Sequence, residues 1–160
     1  MNQELELQLV KKYPKILSEY GGDPKQTCLA FGFEFDNGWY KLIDECMSKL
    51  QYFCDLCSKD GSEVQVVANQ AKEKFSVLSF YTSVYGGDSI QHDIIDDIID
   101  KAEAKSARTC EVTGEHGEPC KKRGWYRTLC YEQARKYGYV ACKESTEEYW
   151  QEKDKKGSSI

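Results

Sequence analysis

Trp39, Ile43, Cys46, Met47, Leu50, Phe53, Cys54 and Cys57 recur at intervals of three and four residues. That spacing lines them up along one stripe of an amphipathic α-helix, and a stripe so long has to be buried. The rest of the chain must therefore supply a surface that covers it. Asp36-Asn37-Gly38 ahead of the stripe reads as a turn, with the aspartate or asparagine capping the helix, which should end near Gly61. Cys54 and Cys57 form a Cys-x-x-Cys pair on the stripe itself. A pair that closes a helix on its apolar side is read as core, not as a redox or metal motif.

The covering surface is a sheet. TCLAFGFEF (27–35) alternates, with Leu29, Phe31, Phe33 and Phe35 on one face, and predicts a strand. EVQVVANQ (63–70) and FSVLSFYTSVY (75–85) are rich in β-branched and aromatic residues, and AKEKF between them is either continuing strand or the bend of a hairpin. Residues 3–20 carry helical spacing, with a break expected at Pro14. A second amphipathic helix starts at Asp88 or Ser89, where Asp88 and Gln91 fit a capping box. Its buried face would be Ile90, Ile94, Ile95, Ile98, Ile99 and Ala102. Asp96, Asp100 and Glu103 on the other side read as a solvated face, with a cation site as the alternative. A short helix over 130–137 ends at Gly138, and the last residues are polar. The expected fold class is α+β: a small antiparallel sheet packed by amphipathic helices, with an irregular C-terminal lobe. The expected organisation is a core domain over 1–107, the lobe over 108–143 and a polar tail over 144–160.

Cys110–Cys130, CEVTGEHGEPCKKRGWYRTLC, concentrates the chemistry of the chain. The protein has eight cysteines, and its first residues lack the basic-then-apolar layout of a signal peptide. In a cytosolic chain, metal ligation or burial is the expected use of such thiols. No apolar run approaches the roughly 18–20 residues that span a bilayer, so no membrane partner is expected. A net charge of −5 argues against a duplex-coating protein. Within 121–127, KKRGWYR combines cations that neutralise phosphate with rings that stack on a base. Arg123, Trp125 and Arg127 are therefore candidate ligand-binding residues. Lys72, Lys74 and Tyr81 repeat the theme on the sheet.

GFEFDNGWYKLID (32–44), QVVANQAKEKFSVLSFYTSVYGGD (65–88) and SARTCEVTGEHGEPCKKRGWYRTLC (106–130) together resemble an uncharacterised family of small proteins encoded by bacteriophages and prophages. The resemblance implies a viral protein acting in the cytoplasm of the bacterial host, and a C-terminal zinc-ribbon-like lobe. In the family, two Cys-x-x-Cys knuckles would supply four thiolates to zinc. Here Cys110 and Cys130 match the first cysteine of each knuckle, while Thr113 and Gln133 stand at the second positions. Loss of both partners points to loss of the site. Cys110, His116, Cys120 and Cys130 offer a rescued zinc set as an alternative. A metal-free lobe and a Cys110–Cys120 or Cys110–Cys130 disulfide stay open beside it.

Neither His92 nor His116 sits in a catalytic motif, and no phosphate-binding glycine loop is present. The functional expectation is a non-enzymatic binding protein that captures a nucleotide-type or other small anionic ligand, in the phage setting a host immune signal. Two alternatives remain. One is an inhibitor that contacts a host protein through its acidic helix; the other is a degenerate zinc-ribbon protein that binds nucleic acid. Homo-oligomerisation is left open.

Overall fold

A computed structural model describes residues 1–158 and shows an α+β protein. After α1 (Gln3–Lys12), the helix stops at Tyr13-Pro14, as proline's missing N–H requires. Residues 27–35 depart from the expected strand. The Thr27 hydroxyl accepts the Leu29 N–H at 3.1 Å and winds Cys28–Phe31 into a 3-10 turn. Gly32, at φ 73°, then swings the chain out, leaving only β1 (Phe33–Glu34) as strand. Leu29, Phe33 and Phe35 are buried, but Phe31 is 68% exposed. Gly32 is needed for a second reason: a Cβ there would lie 2.5 Å from the carboxylate of buried Glu6, which accepts the Phe33 N–H and the Tyr20 hydroxyl.

The expected long helix is α2 (Tyr40–Lys59), entered through a 3-10 turn at Asn37–Trp39. Its stripe is buried from Trp39 to Cys57 except for half-buried Phe53, and Cys54 and Cys57 are free core thiols. The Asp36 side chain does not cap it.

β2 (Val64–Lys74) and β3 (Val77–Gly86) form a long antiparallel hairpin, with β1 parallel to β2 on its other side. The first four residues of AKEKF are thus continuing strand, and its phenylalanine enters the bend, Phe75-Ser76, both at positive φ (50° and 69°). Two-residue hairpin loops of this twist usually carry asparagine and glycine. Here the Glu73 carboxylate accepts the Ser76 N–H at 2.6 Å and helps hold the bend. A bulge between Ala68 and Gln70 switches which residues face inward, from Val64, Val66 and Ala68 to Ala71.

α3 (Ser89–Ser106) opens with the expected capping box and covers the outer edge of β3. Ser106 Oγ accepts the Leu78 N–H at 2.7 Å and Glu103 accepts the Phe80 N–H at 2.8 Å. Glu103 is therefore an edge cap and not one of three free carboxylates, and burial raises its pKa. Ile95, Ile99 and Ala102 are buried as expected, whereas Ile90 and Ile94 are exposed.

Glu45 ties α2 to α3, accepting from Lys49 at 2.8 Å and Lys105 at 2.6 Å. The Lys105 and Lys49 hydrogen bonds pull its pKa from 4.5 down to about 2. A depressed carboxylate stabilises the fold above its unfolded pKa, and that contribution is lost as pH falls towards the folded value. In melting curves recorded between pH 4.5 and 2, Glu45→Gln should show a shallower acid decline of Tm than the parent. An unchanged slope would mean that the exposed pair carries no linkage.

The lobe is more regular than its sequence suggests. β4 (Glu118–Lys122), β5 (Trp125–Leu129) and β6 (Val140–Ala141) form an antiparallel sheet in the order β5-β4-β6. α4 (Tyr131–Tyr137) ends at left-handed Gly138 as expected. The expected polar tail is instead α5 (Glu144–Gly157), whose Trp150 is 6% exposed among Cys110, Cys120, Leu129, Cys130, Ala134 and Ala141. Residues 159 and 160 of that tail lie outside the described residues. Arg135 locks α4 to α5 through Glu147 and Asp154 at 2.9 and 3.0 Å. Among the described residues, no helix is long and apolar enough to cross a membrane.

Candidate functional site

Several hydrogen bonds join the lobe to the main core. The Trp39 indole donates to the Thr109 carbonyl at 2.8 Å, the Gly38 N–H to the Glu111 carbonyl at 2.8 Å, and the Thr128 hydroxyl to the Ser76 carbonyl at 2.6 Å. The last contact seats the tip of the β2–β3 hairpin on β5. Both aromatic-basic groups read from the sequence thus belong to neighbouring hairpins.

On the first hairpin, Gln70, Lys72 and Lys74 pair in register with Tyr81, Ser79 and Val77. Lys72 Nζ lies 5.7 Å from the centre of the Tyr81 ring, and Lys74 Nζ lies 5.9 Å from that of Phe75. Phe75 is 75% exposed and Tyr81 43%. Glu34, the carboxylate in register with Lys72, is engaged by the Gln70 amide at 2.9 Å. These side chains form a patch of rings and ammonium groups facing solvent.

On the second hairpin, Arg123 (φ 48°) and Gly124 (φ 85°) make the turn, and Trp125 behind it is 75% exposed. Trp125 is three residues along β5 from the Thr128–Ser76 contact, roughly 10 Å at strand spacing. Lys122 between the hairpin and α4 is taken up by the Tyr137 carbonyl at 2.5 Å.

Arg127 is not part of this surface. Its guanidinium is held by Glu111 at 2.8 Å and by Asp36, which joins the lobe to the turn before α2. Burial opposes its charge, but the two carboxylates outweigh it and hold its pKa above the ordinary value. Arg127 is a fastener, and its expected role as a ligand contact is corrected accordingly. Nothing in the sequence marked Glu111 as its partner, and Asp36 read there as a helix cap.

The four donors of the expected zinc set do not converge. His116 is exposed and pairs with Glu118 at 3.0 Å. Cys120 is buried on β4, donates to the Glu118 carbonyl at 3.1 Å, and is pushed up to about 12 by burial. Among the described residues no three histidine, cysteine, aspartate or glutamate side chains gather as a metal site. Cys110, Cys120 and Cys130 share one buried cluster, within which the Cys110 and Cys130 thiols interact. Burial works to raise the Cys110 thiol, but the Thr113 hydroxyl and the N–H groups of Cys130, Thr113 and Val112 outweigh it and lower its pKa. Cys130 is raised by burial and by the neighbouring Cys110 charge. A tetrahedral zinc site with four protein donors, at least three of them thiolate or imidazole, does not fit this arrangement.

Other concave surfaces flank the lobe. A cleft of about 570 Å³ runs between the Glu115–Glu118 loop and α5, and is lined by His116, Cys130, Glu132, Tyr149 and Lys153 among others. A second, of about 510 Å³, opens between Asn37–Leu42 and Thr113–Glu115. Compared with known proteins, the chain matches no protein-family description, no curated protein and no solved structure.

Proposed function

We propose that this protein is a non-enzymatic binding protein that captures a nucleotide-type anionic ligand on the exposed face of the β2–β3 hairpin. The observation that supports this most is the Lys72–Tyr81 and Lys74–Phe75 arrangement, with each ammonium beside an exposed ring. An ammonium neutralises a phosphate while a phenol or phenyl ring stacks on the base. Gln70 and Ser79 on the same strands supply neutral hydrogen-bonding groups. Trp125 and Arg123 at the neighbouring hairpin tip extend the patch for a ligand longer than a mononucleotide. In the phage setting that the resemblance implies, capture without turnover in the host cytoplasm would remove a signalling molecule from circulation.

Calorimetric titration with mono-, cyclic and oligonucleotides tests the proposal. Stoichiometric binding is expected, with the ligand recovered intact by mass spectrometry. Tyr81→Ala should weaken it by roughly 1–3 kcal/mol, the usual value of one base-aromatic stack. Lys72→Ala should both weaken binding and reduce its salt dependence. No heat with any nucleotide, or binding unchanged in both variants, would sink the proposal.

A second reading, contact with a host protein, is favoured by one feature of α3. Exposed Ile90 and Ile94 lie on the same helix as exposed Asp93, Asp96, Asp97 and Asp100. An apolar strip beside acidic residues suits a protein surface better than it suits an anion.

A further inference from the structure

Among the described residues, positive φ outside glycine is confined to Phe75, Ser76 and Arg123, the turns of the β2–β3 and β4–β5 hairpins. A bulky residue at positive φ is strained, and asparagine or glycine would make the first turn more easily. The Phe75 ring is 75% exposed, so it does not serve the core either. Strained turns of this kind cluster at ligand-contacting sites. The neighbouring sheet presents a second ring. Thr128 on β5 aims its hydroxyl at the Ser76 carbonyl, and side chains two apart on a strand share a face. Tyr126 therefore projects from the face of β5 that meets the first tip, roughly 7 Å along the strand from Thr128. It is 43% exposed, and exposed Lys121 pairs with it in register on β4. Lys12, Lys49, Lys101 and Lys105 each engage a carboxylate, whereas Lys72, Lys74 and Lys121 make no ion pair among the described residues.

We propose that this surface takes a single-stranded oligonucleotide, which runs from the Lys72–Tyr81 pair over Phe75 and on to Tyr126 and Lys121. The inference deepens the nucleotide reading of the β2–β3 face and rests on it. From Tyr81 to Val77, beside the turn, β3 rises roughly 13 Å, which is about four nucleotides at the roughly 3.4 Å of a stacked strand. A mononucleotide covers only one ring–ammonium pair of that track. The rings offer faces, so they take unpaired bases with little regard to sequence. Bases inside a duplex have no free face, and a chain of net charge −5 is poorly suited to coat one. Lys72 and Lys74 lie beside rings and Lys121 is in register with one, so phosphate contacts alternate with stacks along the strand.

The test titrates the full chain calorimetrically with thymidine monophosphate, with a single-stranded thymidine oligomer of about ten nucleotides, and with a duplex of the same length. The oligomer should bind about 10-fold or more tightly than either of the others. Tyr126→Ala should weaken the oligomer about 10-fold and leave the monophosphate unchanged, while Tyr126→Phe keeps the stack and the affinity. Lys121→Ala should lower the salt slope of oligomer binding by about one. Phe75→Asn should weaken the oligomer while holding or raising Tm, because it relieves the turn; a merely structural ring would not give that combination. Monophosphate bound as tightly as oligomer, duplex bound as tightly as single strand, or unchanged oligomer affinity in both Tyr126→Ala and Phe75→Asn would overturn the inference and leave the nucleotide reading standing. No heat with any of the three also overturns it, and the nucleotide reading falls with it only if cyclic nucleotides are silent too.

Discussion

Trp39→Ala is expected to lower the free energy of unfolding by about 4 kcal/mol, within the range for removing a buried large aromatic. Trp39 is fully buried, its ring centre lies 5.4 Å from that of Phe35, and its indole N–H is bound to the Thr109 carbonyl. The substitution therefore opens a cavity under α2 and also frees a lobe carbonyl. The side chain thus packs in the main core and hydrogen-bonds the lobe. Trp39→Phe separates these effects, because it keeps most of the volume and loses only the hydrogen bond. It should cost about 1–3 kcal/mol, the penalty for leaving a buried acceptor unmade. Urea unfolding followed by circular dichroism measures both values. A loss below about 1 kcal/mol for Trp39→Ala would show that the site collapses around the gap.

Arg127→Ala is the second large effect, with a loss of about 3–5 kcal/mol expected from breaking a buried pair on one side only. Glu111 is 5% exposed as a residue and depends on Arg127 for its counter-charge. Asp36, at the far end of the same guanidinium, would lose its link to the lobe. Lysine should not restore the loss, since a single ammonium cannot serve two carboxylates in the fork geometry of a guanidinium. Adding Glu111→Gln to Arg127→Ala should recover part of the stability by removing the stranded charge, which a double-mutant cycle reads as coupling. Additive losses would show that the pair is not coupled. Ligand affinity measured on the same variants distinguishes a fastener from a contact residue. Any change in affinity should follow the fraction folded and not exceed it.

Much of the main core was legible because its signals are local. The stripe from Trp39 to Cys57, the proline break after α1 and the Asp88–Gln91 capping box all depend on residues a few positions apart. Helical periodicity and caps are properties of a short window, so they survive without knowledge of the rest of the chain. The segment 27–35 shows where that fails. Its alternation is real, but the Thr27 cap and Gly32 turned it away from strand geometry, and buried Glu6 explains why the glycine is there.

The lobe was harder to read. Trp150 in a lysine- and glutamate-rich stretch offers a single apolar anchor, too weak a period to predict a packed helix. Basic residues in KKRGWYR looked equivalent in sequence, yet Arg127 faces two carboxylates while Trp125 stands in solvent. Strand alternation assigns residues to faces; it does not say which face another part of the chain will cover.

The sequence by itself determined an α+β chain and its long amphipathic helix. Only the tertiary structure decided that Cys110, Cys120 and Cys130 share a buried cluster without forming a metal site with His116, and that Arg127 fastens the lobe to Asp36. The reason is physical. Periodicity and capping are set by neighbours along the chain, whereas a thiol pair or a buried ion pair is set by which distant segments pack together.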